Sequence, residues 1–94
     1  MSGLKFQRYD LGHLAQGTTV EVTLSTGANV RLMTWSDYEN FRNQRAHRYL
    51  GGLARRSPLR LTVPSSGHWI VTIDLGGLAA TSVTSRVRVQ RPER

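Results

Sequence analysis

Apolar and polar residues alternate along most of this chain with a period of two. The clearest segments are 19–24, 28–33, 59–63, 68–75 and 83–89, and a shorter candidate lies near residues 4–9. Such alternation is typical of β-strands that turn one face to a core and the other to solvent. Short strands at regular spacing predict an all-β domain of about six to seven strands, arranged as a two-sheet sandwich or jelly-roll-like fold.

Turn-forming residues separate these segments. Ser25–Gly27 lies between the second and third predicted strands, and Pro64–Gly67 lies between the fourth and fifth. Both stretches are short and consist largely of Gly, Ser, Thr and Pro. They therefore predict tight hairpins.

One segment breaks the alternation and predicts a short helix. Ser36 followed by Glu39 forms a capping box, in which each side chain accepts from the backbone N–H of the other residue. We expect the helix to run from Asp37 to about Arg48 and to stop at the Gly51–Gly52 pair, because glycine favours helix C-termini. This helix lies between the third and fourth predicted strands, which suits a chain that crosses there from one sheet to the other.

The composition narrows the class of protein. With 94 residues and no cysteine, the chain predicts one β-rich domain over residues 1–94, with a core at about 4–90 and a flexible basic tail at 91–94. The lack of cysteine excludes disulfides, iron–sulfur sites and thiol nucleophiles. No apolar run approaches the roughly 20 residues that span a bilayer, and the first residues lack the apolar stretch of a signal peptide. We therefore expect a cytoplasmic protein without a membrane partner.

The net charge of +7 is concentrated in one segment. Six arginines and no acidic residue lie between positions 42 and 60, whereas the other 7 of the 13 basic residues are nearly balanced by 6 acidic ones. A local basic patch attracts phosphates or an acidic partner, but it is also typical of a solvated face that keeps a small domain soluble.

The end of the predicted helix and the loop at 51–56 form the candidate site. Glycine N–H groups beside paired arginines can hold a phosphate or a carboxylate, and the arginine side chains add forked hydrogen bonds. The candidate anion- or partner-binding residues are Arg42, Arg45, Arg48, Gly51, Gly52, Arg55 and Arg56.

Trp35 and His68 are weaker candidates for this role. An exposed Trp35 near a strand end would suit stacking on a sugar or a base. Trp69, in contrast, shares a strand face with Val71 and Ile73 and is expected in the core. His68 lies beside a glycine-containing turn, where hydrogen bonding within the loop is the commoner role.

Catalytic and metal sites find little support in the spacing of the residues. Ser65, Ser66, His68 and Asp74 lie close in sequence, but along one strand His68 and Asp74 would be separated by roughly 20 Å. Asp10 or another carboxylate could still pair with His68. The three histidines lack metal-ligand spacing. We expect no enzyme activity, no metal and no cofactor.

Two short stretches repeat the same pattern. Asp10–Ala15 and Asp74–Ala79 match at five of six positions. Both could form the same corner between strands, with the Asp accepting from loop N–H groups, a glycine in an unusual conformation and the Leu entering the core. Chance similarity is the alternative.

Further stretches, taken together, are shared with a known family. They extend over roughly residues 4–89 and comprise Tyr9–Leu14, Ala28–Met33, Tyr49–Gly52, Ser57–Pro64, and Gly67–Trp69 running into Asp74–Gly77. In these the chain resembles the DUF1883 family of short, uncharacterised bacterial proteins. The resemblance implies a compact β-rich domain. Members are also joined to TIR domains, which implies an accessory or sensing role in bacterial signalling or defence, but the family brings no established activity.

The expected function is that of a small non-enzymatic binding or accessory module. It would contact an anionic ligand or an acidic protein partner through the arginine-rich segment. Two alternatives stay open, a nucleic-acid-binding protein that uses the same patch and a structural or assembly subunit that pairs through a sheet edge. A homo-oligomer is compatible with the sequence.

Overall fold

The computed structural model describes residues 5–92 and shows seven strands in two antiparallel sheets with one short helix. The elements are β1 (Gln7–Leu14), β2 (Thr19–Leu24), β3 (Ala28–Thr34), α1 (Trp35–Arg42), β4 (Leu50–Ala54), β5 (Leu59–Thr62), β6 (Gly67–Asp74) and β7 (Ser85–Gln90). One sheet has the order β1-β6-β3-β4 and the other β5-β2-β7. The predicted all-β sandwich is confirmed. The predicted strand start at residue 4 and the tail end at 93–94 lie outside the described residues.

The two predicted hairpins are wrong, because each turn carries the chain from one sheet to the other. β2 and β3 lie in different sheets, and so do β5 and β6. Ser25 donates its backbone N–H to the Thr84 carbonyl at 2.9 Å, and its hydroxyl accepts from the Thr84 N–H at 2.8 Å. These two bonds extend the pairing of β2 with β7 past Leu24. The chain therefore turns away to the second sheet instead of folding back on β2.

The connection between the predicted strands at 28–33 and 59–63 crosses from one sheet to the other, as predicted, but it contains a further strand, β4, which the sequence does not predict. β3 and β4 are antiparallel, with Ala28 opposite Ala54 and Leu32 opposite Leu50. The chain crosses to the other sheet only after β4, over residues 55–58. The helix consequently packs on its own sheet, over β3 and β6.

The main core lies between the two sheets. Val20 of β2 and Val30 of β3 are fully buried there, as the alternation of these segments predicts. Trp69 of β6 is 5% exposed and donates its indole N–H to the Ser65 carbonyl at 2.9 Å, which confirms its predicted place in the core.

A second apolar cluster lies on the outer face of the four-stranded sheet. Met33, Tyr38 and Ile70 are buried in it, with Phe6 and Phe41 packed against them. The alternation of β6 predicts a solvent-facing side for Ile70, which is wrong because α1 covers that face. Within residues 5–92, no helix has the length and apolar character needed to cross a membrane.

Helix α1 ends earlier than the sequence predicts. Its last residue is Arg42 and the predicted end near Arg48 is wrong, because Gln44 adopts a left-handed φ of 59°. The Arg45 N–H then donates to the Asn40 carbonyl at 2.8 Å, in the long-range bond of a Schellman motif. The left-handed Gln44 therefore ends the helix well before the Gly51–Gly52 pair.

Thr34, and not Ser36, caps the other end of this helix. The Thr34 hydroxyl accepts from the Asp37 N–H at 3.3 Å and donates to the Asp37 carboxylate at 3.1 Å. Thr34→Ala should therefore lower the free energy of unfolding by about 1 kcal/mol, as measured by urea denaturation. Ser36→Ala is the matched control and should change it by less than about 0.5 kcal/mol. A larger loss of stability in Ser36→Ala than in Thr34→Ala would show that Ser36 is the capping residue.

Strand β4 occupies residues that the sequence assigns to a helix stop and a loop. Gly51 and Gly52 adopt φ values of +109° and +132°, which glycine reaches far more readily than other residues. In this conformation both pair with β3, opposite Arg31 and Val30. The prediction of a loop at 51–56 is therefore wrong for residues 51–54.

The two Asp-Leu-Gly stretches share their local contacts. The Gly12 N–H donates to Asp10 and the Gly76 N–H donates to Asp74, both at 2.9 Å, and the intervening leucines pack on the main core. These local contacts agree with the prediction, but the predicted common corner between strands is wrong for the first copy. The positions differ, because the first copy forms a bulge inside β1 whereas the second follows β6. The left-handed glycine is also shifted, from Gly12 in the first copy to Gly77 in the second.

Candidate binding surface

Strand β4 and the residues on either side of it, 48–56, form a surface that we call the β4 edge. β4 pairs with β3 on one side only and ends the four-stranded sheet on the other. Alternate residues of an antiparallel edge strand direct their N–H and C=O groups away from the sheet. In the described part of the chain, no backbone hydrogen bond outside the ladder with β3 involves residues 50–54. The outer side of β4 therefore has no backbone hydrogen-bond partner among residues 5–92.

The three other edge strands carry features that hinder such pairing. β1 is interrupted by a bulge between Asp10 and Gly12. β5 has 4 residues and follows Pro58, and β7 carries the exposed side chains of Arg86 and Arg88. Bulges, short length, proline and charge are the devices that keep sheet edges from pairing with other chains. None of them lies within β4.

Large apolar side chains are exposed along the β4 edge. Tyr49 and Leu53 are each 45% exposed and Leu50 is 37% exposed. They make up three of the five exposed large hydrophobic residues in the described chain. Between the two leucines, Gly51 and Gly52 have no side chains and leave the backbone open to close approach.

The predicted site arginines lie in separate places. Arg48 precedes β4, whereas Arg55 and Arg56 follow it. At about 3.3 Å per residue, β4 alone separates the two groups by about 13 Å. The two groups are therefore joined by a strand and not by the predicted loop, and Gly51 and Gly52 lie between them. The binding role of these residues stays a prediction.

Arg42 and Arg45 are engaged at the end of the helix. The Arg42 Nε–H donates to Glu39 at 3.3 Å, and the Arg45 Nε–H donates to the Asn40 amide oxygen at 3.1 Å. Both side chains are therefore hydrogen-bonded to residues of α1.

Four of the five described carboxylates, those of Asp10, Glu21, Glu39 and Asp74, are paired elsewhere in the fold, and the fifth, Asp37, accepts from the Arg48 backbone N–H. Glu21, on the central strand β2, lies 2.9 Å from Arg60 on β5 and 3.8 Å from Arg88 on β7. Among residues 5–92, no carboxylate lies within 4.0 Å of the side-chain nitrogens of Arg48, Arg55 or Arg56. The β4 edge therefore carries arginine side chains without an ion-pair contact at both ends, although the Asp37 carboxylate lies at the backbone of Arg48.

A small apolar pocket opens beside the first residue of β4. Its volume is about 200 Å³, and it is lined by Leu32, Asp37, Arg48, Tyr49, Leu50, Pro64 and Trp69. Asp37 accepts from the Arg48 N–H at 3.1 Å and so fixes the chain where it enters the β4 edge. Only Asp37 and Arg48 bring charge to a lining that is otherwise mainly apolar.

The two weaker candidates lie together, but toward β1 instead of β4. The rings of Trp35 and His68 are stacked with centroids 5.4 Å apart, and Trp35 remains 41% exposed. His68 Nε2 lies 2.7 Å from Asp10 of β1. The stack joins α1 to β6 and the hydrogen bond joins β6 to β1, so both contacts hold elements together. A ligand-binding role for Trp35 and His68 stays a prediction.

The contact between Asp10 and His68 has a consequence that titration can measure. The hydrogen bond from His68, followed by that from the Gly12 N–H, lowers the pKa of Asp10 below its ordinary value of 3.8. A carboxylate with a lowered folded pKa stabilises the fold above pH 3.8, and this stabilisation is lost as the pH falls through the folded value. His68→Ala should raise the pKa of Asp10 toward 3.8, as followed by NMR of its carboxyl carbon.

His13 provides the control for this titration. It lies opposite His68 on the neighbouring strand. His13→Ala should leave the pKa of Asp10 at its lowered value. An Asp10 pKa that is the same in His68→Ala as in the wild type would contradict the assignment of the shift to His68.

An ion pair between Arg31 of β3 and Asp74 of β6 is not predicted from the sequence. Arg31 Nη1 lies 2.5 Å from Asp74, whose side chain is 1% exposed. The Arg31 guanidinium also lies over two rings, 5.3 Å from the centroid of Phe41 and 5.2 Å from that of Tyr49. The available signal was a charged residue in each of two strongly apolar strands. The contact positions Tyr49 at the start of the β4 edge.

The residues considered for catalysis are not assembled into a triad. Asp74 lies at the far end of β6 from His68, as the spacing predicts, and His68 pairs with Asp10. The Ser66 hydroxyl accepts from the Gln16 N–H at 2.9 Å. In the portion of the chain that the structure covers, no three His, Asp or Glu residues are grouped so that they could hold a metal ion.

Comparison with known proteins finds a match to one family model. A family model described as a domain of unknown function (DUF1883) matches residues 4–93. No curated protein and no solved structure matches the chain. The match covers nearly the whole chain and brings no ligand or activity with it.

Proposed function

The chain belongs to the DUF1883 family, a domain of unknown function, and we propose that it is a small non-enzymatic binding module. It adds an extended, acidic segment of a partner protein to strand β4. The observation that carries this proposal is that, among the edge strands described within residues 5–92, β4 alone contains no bulge, charged residue or preceding proline, and arginines lie before and after it. The resemblance to proteins joined to TIR domains favours a partner in signalling or defence.

Backbone pairing supplies the first part of the recognition. An extended segment that lies along β4 forms main-chain hydrogen bonds with its outward N–H and C=O groups, and such bonds depend little on sequence. The exposed Leu50 and Leu53 add apolar contacts on both faces of the added strand.

Charge supplies the second part. Arginine binds carboxylates through two parallel hydrogen bonds, which are stronger than neutral ones. Arg48 lies before β4, and Arg55 and Arg56 lie after it. A segment with Asp or Glu near both ends and uncharged residues between them complements this arrangement.

A second copy of the chain complements the charges of the β4 edge poorly. Antiparallel pairing of two β4 strands about their centre places Arg48 of one copy beside Arg56 of the other. Like charges directly opposite each other destabilise a strand pair. The charges thus favour a different, acidic chain over self-association.

Panning a library of short random peptides against the immobilised protein tests this proposal. We expect enrichment of peptides rich in Asp and Glu. Their affinity should fall about tenfold or more in the double variant Arg48→Glu/Arg55→Glu, since it loses two charge-assisted contacts. The variant Arg86→Glu/Arg91→Glu makes the same change of net charge away from β4 and should keep the affinity.

Amide hydrogen exchange tells strand addition from other modes of binding. A bound peptide should slow the exchange of amides within residues 50–54. The proposal fails if no acidic peptide is enriched, if the Arg86/Arg91 variant loses as much affinity, or if protection appears elsewhere. Binding to DNA or RNA that falls steeply with salt, and that acidic peptides do not displace, would favour the nucleic-acid alternative. A dimer formed through β4 would favour the assembly alternative.

A further inference from the structure

We infer that the pocket beside Leu50 receives one apolar side chain of the acidic segment, so that the ligand combines an apolar anchor with neighbouring acidic residues. The inference rests on the proposed function, because the pocket is reached by a strand that lies along β4. The pocket adds selectivity for one apolar side chain to the attraction between opposite charges.

The pairing geometry places a partner's side chain on the side of the pocket. Residues directly opposite each other in neighbouring strands project to the same face of the sheet. Leu32 and Leu50 are such a pair, and both line the pocket. A residue of the added strand that lies opposite Leu50 on its free side projects to that same face. Leu53 is an odd number of residues away, so its side chain lies on the other face.

The size and lining of the pocket set the class of side chain. Its volume is about 200 Å³. A dry cavity of about 150 Å³ lined by apolar residues holds a benzene molecule. Leu32, Pro64 and Trp69 present apolar surface to the occupant. The pocket therefore suits a branched aliphatic side chain or a single aromatic ring.

The rim of the pocket links the anchor to the acidic residues. Asp37 already accepts from the Thr34 hydroxyl and from the Arg48 N–H. The Arg48 guanidinium has no carboxylate partner among the described residues. A ligand carboxylate next to the anchor can therefore pair with Arg48 while the anchor fills the pocket.

The acidic peptides obtained by panning are the probe for this site. We expect them to share one apolar residue, and its replacement by Ala should weaken binding to the wild type about tenfold or more. Leu50→Trp fills the pocket with a larger side chain and should reduce the difference between the two peptides to about twofold or less. Leu53→Trp makes the same exchange on the opposite face of β4 and should keep the full difference.

The outcomes separate the two proposals. If acidic peptides bind and depend on Arg48 and Arg55, but the Ala replacement has no effect, the pocket inference is overturned and the proposed function stands. A difference that persists unchanged in Leu50→Trp also overturns it. The NMR signal of the Trp69 indole N–H gives an independent readout, because only peptides with the anchor should shift it. If no acidic peptide binds, the proposed function fails first.

Discussion

Gly51→Ala is expected to detach β4 from β3 and to lower the free energy of unfolding by about 3 kcal/mol. At Gly51 a Cβ atom would overlap the carbonyl oxygen of Val30, a backbone atom that cannot rotate away. The backbone φ of +109° adds strain for any residue with a side chain. The variant should also lose peptide binding, because the strand that accepts the ligand is displaced.

Gly52→Ala separates the strain of the positive φ from the overlap with the Val30 carbonyl. Its φ of +132° is similarly unfavourable, but nothing lies within 4 Å of its Cβ position. It should cost about 1–2 kcal/mol from strain alone and keep β4 in place. Urea denaturation measures the loss in each variant, and hydrogen exchange of the β3 amides reports whether the ladder persists. Equal losses in the two variants would show that overlap with Val30 does not matter.

Breaking the ion pair under α1 should have an effect of similar size. Asp74→Asn leaves the Arg31 guanidinium without its carboxylate, and removal of one partner of a buried pair costs about 3 kcal/mol or more. The Asn side chain keeps an oxygen that can accept from the Gly76 N–H, so the loss reports mainly on the charge. The contacts of Arg31 with Phe41 and Tyr49 do not involve Asp74 and should remain in the variant.

The double variant Arg31→Met/Asp74→Asn tests this reasoning. Replacing the unpaired cation by an apolar side chain of similar length should recover at least about 1 kcal/mol relative to Asp74→Asn, as measured in urea. Glu39→Gln affects an exposed pair with Arg42 and should cost less than about 1 kcal/mol. A double variant less stable than Asp74→Asn would show that Arg31 stabilises the fold mainly through its aromatic contacts.

The strands that bury one face could be predicted from the sequence, because burial imposes alternation. Residues 19–24 are the clearest example, since Val20 and Val22 are fully buried between more exposed neighbours. β4 could not be predicted in this way. Its two glycines carry no apolar side chain, and its leucines remain exposed.

The partners of the strands were harder to predict than the strands. A turn of a few residues looks the same in sequence whether it returns to its own strand or crosses to another sheet. At Ser25 the outcome depends on bonds to Thr84, which lies far away in the chain. The same holds for His68, whose contacts with Asp10 and Trp35 require the alignment of β1 with β6 and the position of α1.

The candidate site was predicted in composition but not in arrangement. The excess of arginine between residues 42 and 60 is visible without a structure, and the absence of acidic residues there is equally clear. The strand that divides Arg48 from Arg55 is not visible, and neither are the local partners of Arg42 and Arg45. The pairing of β4 with β3 shows that Arg48 and Arg55 lie at opposite ends of an edge strand.

Glu21 has a consequence for how the smaller sheet assembles. Its carboxylate stands opposite Arg60 on one neighbour and Arg88 on the other, and it is 12% exposed. A slip of either neighbour by one residue turns that arginine to the wrong face, and a slip of two moves it about 7 Å away. One side chain thus favours the native alignment of two strands at once, in addition to the burial of their apolar faces.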